Sequence, residues 1–204
     1  IYVYSPLERI EVDTAHFNLG LLNDEGYYVG KPSIYFVQDV FSRAIIGFCV
    51  HVGKGKEEPM GAIQALHHAI MPKSDRSYPM YGLMGSIVRD SGPAYRAKTT
   101  ENFMGQISRT IETAKTRMGY GKPFVERFIG TIRSRLFSEI NGYLGKYDRD
   151  KYSDDTLIKS ATITVKEFHD YLYNYIVNDY HQTAHEGLRG KTPFETWIEG
   201  VQDY

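Results

Sequence analysis

Three acidic residues stand where a metal-dependent phosphoryl transfer would need them. Asp13 follows the alternating run Ile10-Glu11-Val12, and Asp90 follows the mostly apolar run LMGSIVR over 83–89. Glu126 lies in the first turn of a helix that opens at Pro123, with 35 residues between it and Asp90. A phosphodiester repels nucleophiles, and an in-line displacement collects negative charge on its attacking and leaving oxygens. Two Mg2+ or Mn2+ ions about 3.5–4 Å apart can stabilise both. Such ions take hard oxygen ligands and keep several waters, so three carboxylates and phosphate oxygens suffice. Each acid alone also has a plainer account. An Asp at a strand end commonly serves as a turn or cap residue, and Glu126 could be a solvent-facing residue favoured by the helix dipole or paired with Lys122. The triple, with a suitable element under each member, points to metal.

The charge distribution points to a polyanion. The chain carries 24 basic and 25 acidic residues, a balance that by itself argues against a nucleic-acid binder. Ten of the basic residues, against four acids, fall between 89 and 135, and the remaining 14 are outnumbered by 21 acids. Such a block is either a solvated surface or the footprint of a nucleic-acid site. Within it, Lys115, Arg117, Lys122, Arg127 and Arg133 are candidate phosphate contacts. Helical spacing puts Lys122, Glu126 and Arg133 on one face, with Gly130 between as a position where a backbone could approach.

The elements that must position these groups are legible from periodicity. Ile10 to Asp13 reads as a half-buried strand, and 34–38 and 44–52 as an antiparallel pair joined by the polar corner 39–43. Pro59 opens a helix that Pro72 stops. Residues 83–89 read as a buried strand ending in the turn Asp90-Ser91-Gly92-Pro93. A helix over 100–108 and a short strand over 109–113 follow. A glycine-bearing basic loop leads to the Pro123 helix, whose apolar face is Val125, Phe128, Ile129, Ile132 and Leu136. Residues 141–160 read as an irregular connection. Thr164 with Glu167 and Thr192 with Glu195 are capping boxes. The pattern is α/β with a mixed sheet.

Length and composition set the outer bounds. With 204 residues, 42% of them hydrophobic, the chain is one sizeable domain able to bury its own core. No run approaches the roughly 18 apolar residues of a membrane span. The single cysteine excludes a disulfide framework and multi-cysteine zinc or iron–sulfur sites. The start at Ile1, without methionine, reads as an excised fragment.

Other reactive side chains carry less. His16, three residues after Asp13, should face the other side of its strand. His181 and His185 have helical zinc spacing but no evident third ligand. Of the adjacent His67 and His68, one should pack and one be solvated. Asp39 fits a turn cap with Ser42 and Arg43 better than a fourth catalytic acid. Cys49 reads as an inert thiol in an apolar strand.

Five segments in order carry a family resemblance: EVDTAH (11–16), DVFSRAIIGF (39–48), VRDSGPAY (88–95), GKPFVERFIGTI (121–132) and NDYHQTAHEGLRGKTPFETW (178–197). Together they resemble the catalytic core of DDE transposases and retroviral-type integrases, above all bacterial Mu-type transposases such as the B subunit of multi-component transposons. The resemblance implies an RNase H-like fold, with a five-stranded mixed sheet flanked by helices on both faces. Residues 1–140 would form that core, and 141–204 a connection and C-terminal helices. It implies that Asp13, Asp90 and Glu126 hold two Mg2+ or Mn2+ ions, Asp13 bridging them. The chemistry would be cleavage at transposon 3′ ends and transfer of the 3′-hydroxyl into target DNA. The implied partners are transposon-end and target DNA, further copies of the chain in a synaptic multimer, and an AAA+ ATPase. The expected location is cytoplasmic and nucleoid-associated in a bacterium. Two other functions stay open at this point: an RNase H-like nuclease without strand transfer, and an inactive integrase-like scaffold for DNA or protein.

Overall fold

A computed structural model of the chain describes residues 1–53, 56–114, 121–145 and 152–202. The chain opens with β1 (Arg9–His16), the two-residue β2 (Leu21–Leu22), the long β3 (Tyr28–Asp39) and β4 (Ile45–Gly53). Helix α1 (Pro59–Ile70) leads to β5 (Met84–Arg89), then α2 (Pro93–Arg96), α3 (Lys98–Ile107), β6 (Ser108–Thr113) and α4 (Pro123–Arg135). The C-terminal part holds α5 (Asp154–Ser160), the two-residue β7 (Ile163–Thr164), α6 (Val165–Asn174), a π-helical turn Tyr175–Asp179 and α7 (Pro193–Gln202).

The five long strands lie in the order β6-β5-β1-β3-β4. β1 pairs antiparallel with β3, and β3 with β4, while β1, β5 and β6 run parallel. This is the mixed sheet expected, with two strands more than five. The additional pair exists because β3 outruns β1. β1 pairs only with Ser33–Asp39, and the free first residues of β3 are taken by β2, with β7 beside it. Leaving those backbone groups without partners would be costly.

Neighbouring residues of β3 show how the layers are built. Tyr35 packs against Gly61 of α1, and Phe36 meets Phe128 of α4 edge-on at 5.2 Å. Successive strand side chains point to opposite faces, so α1 and α4 cover opposite sides of the sheet. The consequence for β1 departs from the half-buried reading. Ile10 and Val12 are buried on the α1 side, and Glu11, expected on a solvated face, is buried as well.

The Pro59 and Pro123 helices start where proline suits a first turn, and every residue of the α4 apolar face is buried. Both capping boxes form. The segment 141–160 is not wholly irregular, because α5 occupies its end. Ser153 caps this helix by accepting from the Thr156 N–H, Asp154 and Asp155 favour its N-terminus, and Leu157 is its one buried residue. With a single apolar anchor it leaves no helical periodicity to read.

Candidate active site

Asp13 and Asp90 meet because their strands run side by side. β1 and β5 pair in parallel with Glu11 opposite Val88, and two residues further along that register come Asp13 and Asp90. Both sit near the C-terminal ends of parallel strands, where α/β sheets commonly build their sites. Asp90 follows the last residue of β5 and closes a turn by accepting from the Gly92 N–H at 2.7 Å. Asp13 Oδ1 accepts from the Thr14 N–H at 2.9 Å.

Between the two carboxylates lies one ammonium. Lys122 Nζ is 2.8 Å from Asp13 Oδ1 and 3.2 Å from Asp90 Oδ2, and it donates to the Val12 carbonyl oxygen at 3.2 Å. The Lys122 side chain is only 4% exposed. Burial pushes the Asp13 carboxyl above its ordinary range, and nearby Asp90 adds to this, while the Lys122 charge opposes it. Burial by itself would lower the Lys122 ammonium, but Asp13 and Asp90 outweigh it and hold the group above its usual range. Lys122 therefore stands charged on the aspartates, where sequence spacing suggested a helix-face partner of Glu126 or a phosphate contact.

Glu126 is exposed in the first turn of α4, one turn beyond Lys122, to whose carbonyl its N–H donates at 3.2 Å. Four residues advance a helix by about 6 Å, so Glu126 lies one turn along α4 from Lys122. Among the described residues no three acids, histidines or cysteines are gathered as a ready-made metal cage. Two of the sequence candidates are thus brought together, and the third stands one helical turn beyond the lysine that joins them.

Glu11 fixes the helix that bears Lys122 and Glu126. Its Oε2 accepts from the N–H groups of Phe124 and Val125 at 2.9 and 3.0 Å. The N-cap position of α4 is Lys122, which offers no acceptor, so a side chain from β1 supplies what a Ser or Asp would ordinarily give. A helix start lacking any capping residue was the available signal for such a remote partner.

A fourth carboxylate borders the pair. Glu57 and Asp90 flank Gly92, where an added Cβ would lie 2.6 Å from Glu57 Oε2 and 2.8 Å from Asp90 Oδ1. Glu57 also accepts from the Ala94 N–H at 3.3 Å and stands 3.9 Å from His16 Nε2. Glycine at 92 is what permits this approach. His16 keeps to the other face of β1, as alternation predicts, and bonds Ser33.

Of the candidate phosphate contacts, Arg127 is exposed beside Glu126, and Arg133 is half-buried with its guanidinium 5.4 Å from the Phe17 ring centre. Lys115 and Arg117 lie outside the described residues. The set-aside residues have structural duties. Asp39 accepts from Leu7 N, Ser42 N and Ser42 Oγ, as a buried cap. His181 accepts from the Ile45 N–H through Nε2. His68 packs on Phe48 while His67 is exposed, and burial pushes the Cys49 thiol up to about 11.

A family model described as the TnsB C-terminal domain matches residues 11–142. The transposase for transposon Tn552 of Staphylococcus aureus is 22% identical over 192 residues, covering 94% of this chain and 37% of that protein. The Tn7 transposition protein TnsB of Escherichia coli is 26% identical over 176 residues, covering 80% of this chain and 25% of that protein. The chain thus spans between a quarter and two-fifths of the length of these relatives. Among solved structures, the HTLV-2 integrase catalytic core domain in complex with magnesium superposes with a TM-score of 0.51 at 19% identity, covering 95% of this chain and 97% of that one. The BIV integrase catalytic core gives 0.53 at 16% identity, covering 97% of both chains. These likenesses show the fold, an RNase H-like integrase core.

Proposed function

Because the chain belongs to the TnsB C-terminal domain family, and so to the DDE transposase and retroviral integrase superfamily, we propose that it is the catalytic core of a transposase. In this reading it cuts DNA at transposon 3′ ends and joins the freed 3′-hydroxyl to target DNA. The observation that carries the proposal is the pairing of Asp13 and Asp90 on a single cation near the C-terminal ends of two parallel strands.

The donors fit a divalent metal. Asp13 and Asp90 present hard carboxylate oxygens at one point, and that point already attracts positive charge, as the seated ammonium testifies. Asp13 and Asp90 would hold Mg2+ or Mn2+ between them, with Glu126 completing the ligands of a second ion from α4. When bound, the two ions supply Lewis-acid activation and neutralise charge on the attacking and leaving oxygens. The remaining work falls to the chain. Glu11 fixes the entry of α4, so that Glu126 is presented from an anchored first turn. Arg127 and Arg133, with Lys115 and Arg117, provide cations for neighbouring phosphates.

Residues 1–140 form the RNase H-like core, and 141–204 a connection and C-terminal helices, within a longer protein that brings its own end-binding domains. Transposon-end and target DNA, further copies in a synaptic multimer and an AAA+ ATPase are the proposed partners, in a bacterial cytoplasm at the nucleoid. No helix among the described residues is long and apolar enough to cross a membrane.

The test is a strand-transfer assay with the full-length protein and a DNA end bearing a 3′-hydroxyl. Joined product that requires Mg2+ or Mn2+ and disappears in Glu126→Gln supports the proposal. Cutting without joined product would favour a nuclease. Activity unchanged in both Asp90→Asn and Glu126→Gln would leave a scaffold.

A further inference from the structure

Lys122 fills the position that a metal ion would need. An ammonium has three donors, and here three oxygens receive them: one of Asp13, one of Asp90 and the Val12 carbonyl. The pair of aspartates is thus already neutralised in part by the chain itself. Without that charge, the largely buried Asp13 and its neighbour Asp90 would repel each other. A Mg2+ ion on the same carboxylate oxygens needs contacts of about 2.0–2.1 Å. It cannot occupy the point between them where the ammonium sits, 2.8 and 3.2 Å from those oxygens.

We propose that Lys122 is a resident counter-ion that closes the aspartate pair in the metal-free chain and must leave before a divalent cation can take its place. The side chain is suited to the exchange. Its charge sits at the end of a flexible four-carbon stem, rooted at the entry of α4. Its release turns a cation that neutralises protein carboxylates into one free to meet a DNA phosphate beside Glu126. Metal affinity is then reduced by the fraction of molecules in which Lys122 is seated. The site would load metal reluctantly in the free protein, and more readily once phosphate offers the ammonium another partner. This inference rests on the metal-site reading and adds to it a competition inside the chain.

Calorimetric titration of the chain with Mn2+ and Mg2+ tests it. Lys122→Met, which keeps the stem and removes the charge, is expected to bind Mn2+ about tenfold more tightly than the parent, as removal of a competing seated state requires. Its melting temperature without metal should fall, and saturating Mn2+ should restore it. Unchanged or weaker Mn2+ affinity in Lys122→Met, while the parent binds and Asp13→Asn does not, overturns the inference and leaves the metal site standing. No Mn2+ binding by either protein overturns both.

Should Lys122→Met fail to fold, amine acylation read by mass spectrometry on the unaltered chain decides the matter. Lys122 should be protected without metal and labelled when Mg2+ saturates the site. Continued protection at a Mg2+ concentration that fills the site overturns the inference.

Discussion

Glu11 and Val125, separated by 114 positions, share a hydrogen bond of 3.0 Å between a buried carboxylate and a helix N–H. That contact, with its neighbour to Phe124, ties the central strand of the sheet to the helix whose entry sets Lys122 on the aspartates and whose first turn bears Glu126. The site therefore depends on a residue that touches none of its reacting groups. Glu11→Ala leaves two N–H groups at the start of α4 without their acceptor and is expected to cost about 1–3 kcal/mol. Glu11→Gln keeps an acceptor and should retain most of the stability. Urea unfolding of the two variants checks this, and an Ala variant as stable as the parent would count against the tether.

Asp90→Asn keeps the turn acceptor for Gly92 and removes one carboxylate from the proposed metal site. Strand transfer by the full-length protein is expected to fall at least about 100-fold, the rate equivalent of a few kcal/mol of lost charge stabilisation. Circular dichroism should be unchanged. Residual activity within a few-fold of the parent would remove Asp90 from the chemistry.

Acid should unfold the domain partly through His181. Burial is the main cause that pushes this imidazole down from its ordinary 6.5 to about 3, and its Nε2 can accept the Ile45 N–H only while unprotonated. A group depressed in the folded state contributes stability that is complete above the unfolded value and is lost as pH falls towards the folded one. Stability should therefore decline from about pH 6.5 downward. His181→Phe should be less stable at pH 7.5 but should lose less between pH 6.5 and 5. Equal acid sensitivity in the two proteins, measured by thermal unfolding, would assign the effect elsewhere.

Two glycines should respond oppositely to alanine. At Gly47 of β4 an added Cβ would lie 2.5 Å from the Ala65 carbonyl oxygen and 2.7 Å from the Ala69 Cβ. Gly47→Ala forces α1 off the sheet and should cost about 1–3 kcal/mol. At Gly130 of α4 a Cβ meets nothing within 4 Å among the described residues, so Gly130→Ala should stabilise by about 0.4–1 kcal/mol. If DNA passes close to that face, the same variant should weaken strand transfer despite its higher melting temperature. Full activity in Gly130→Ala would place the DNA elsewhere.

Much of this domain is written locally. Pro59 and Pro72 bracket α1, the Thr164 and Thr192 boxes open α6 and α7, and the apolar stripe from Val125 to Leu136 marks the buried face of α4. These signals survive in sequence because they rest on neighbours within about one helical turn or on strand alternation. The acids Asp13, Asp90 and Glu126 stood out as candidates for the same reason, since each sits in or beside a readable element. Helix α5, held by Ser153 and the lone buried Leu157, fell below that threshold.

What folding alone decided is how charges meet across the chain. Alternation put Glu11 on a solvated face, but α4 covers that face and makes the carboxylate its cap. Helical spacing offered Lys122 to Glu126 or to DNA, but the parallel register of β1 and β5 sets two aspartates closer and seats the ammonium there. Glu57 and Asp90, far apart in the chain, come to flank the same Gly92. Each outcome is a competition among partners distant in sequence. Burial strengthens whichever pairing the packed sheet and helices permit, and spacing along the chain carries no record of that choice.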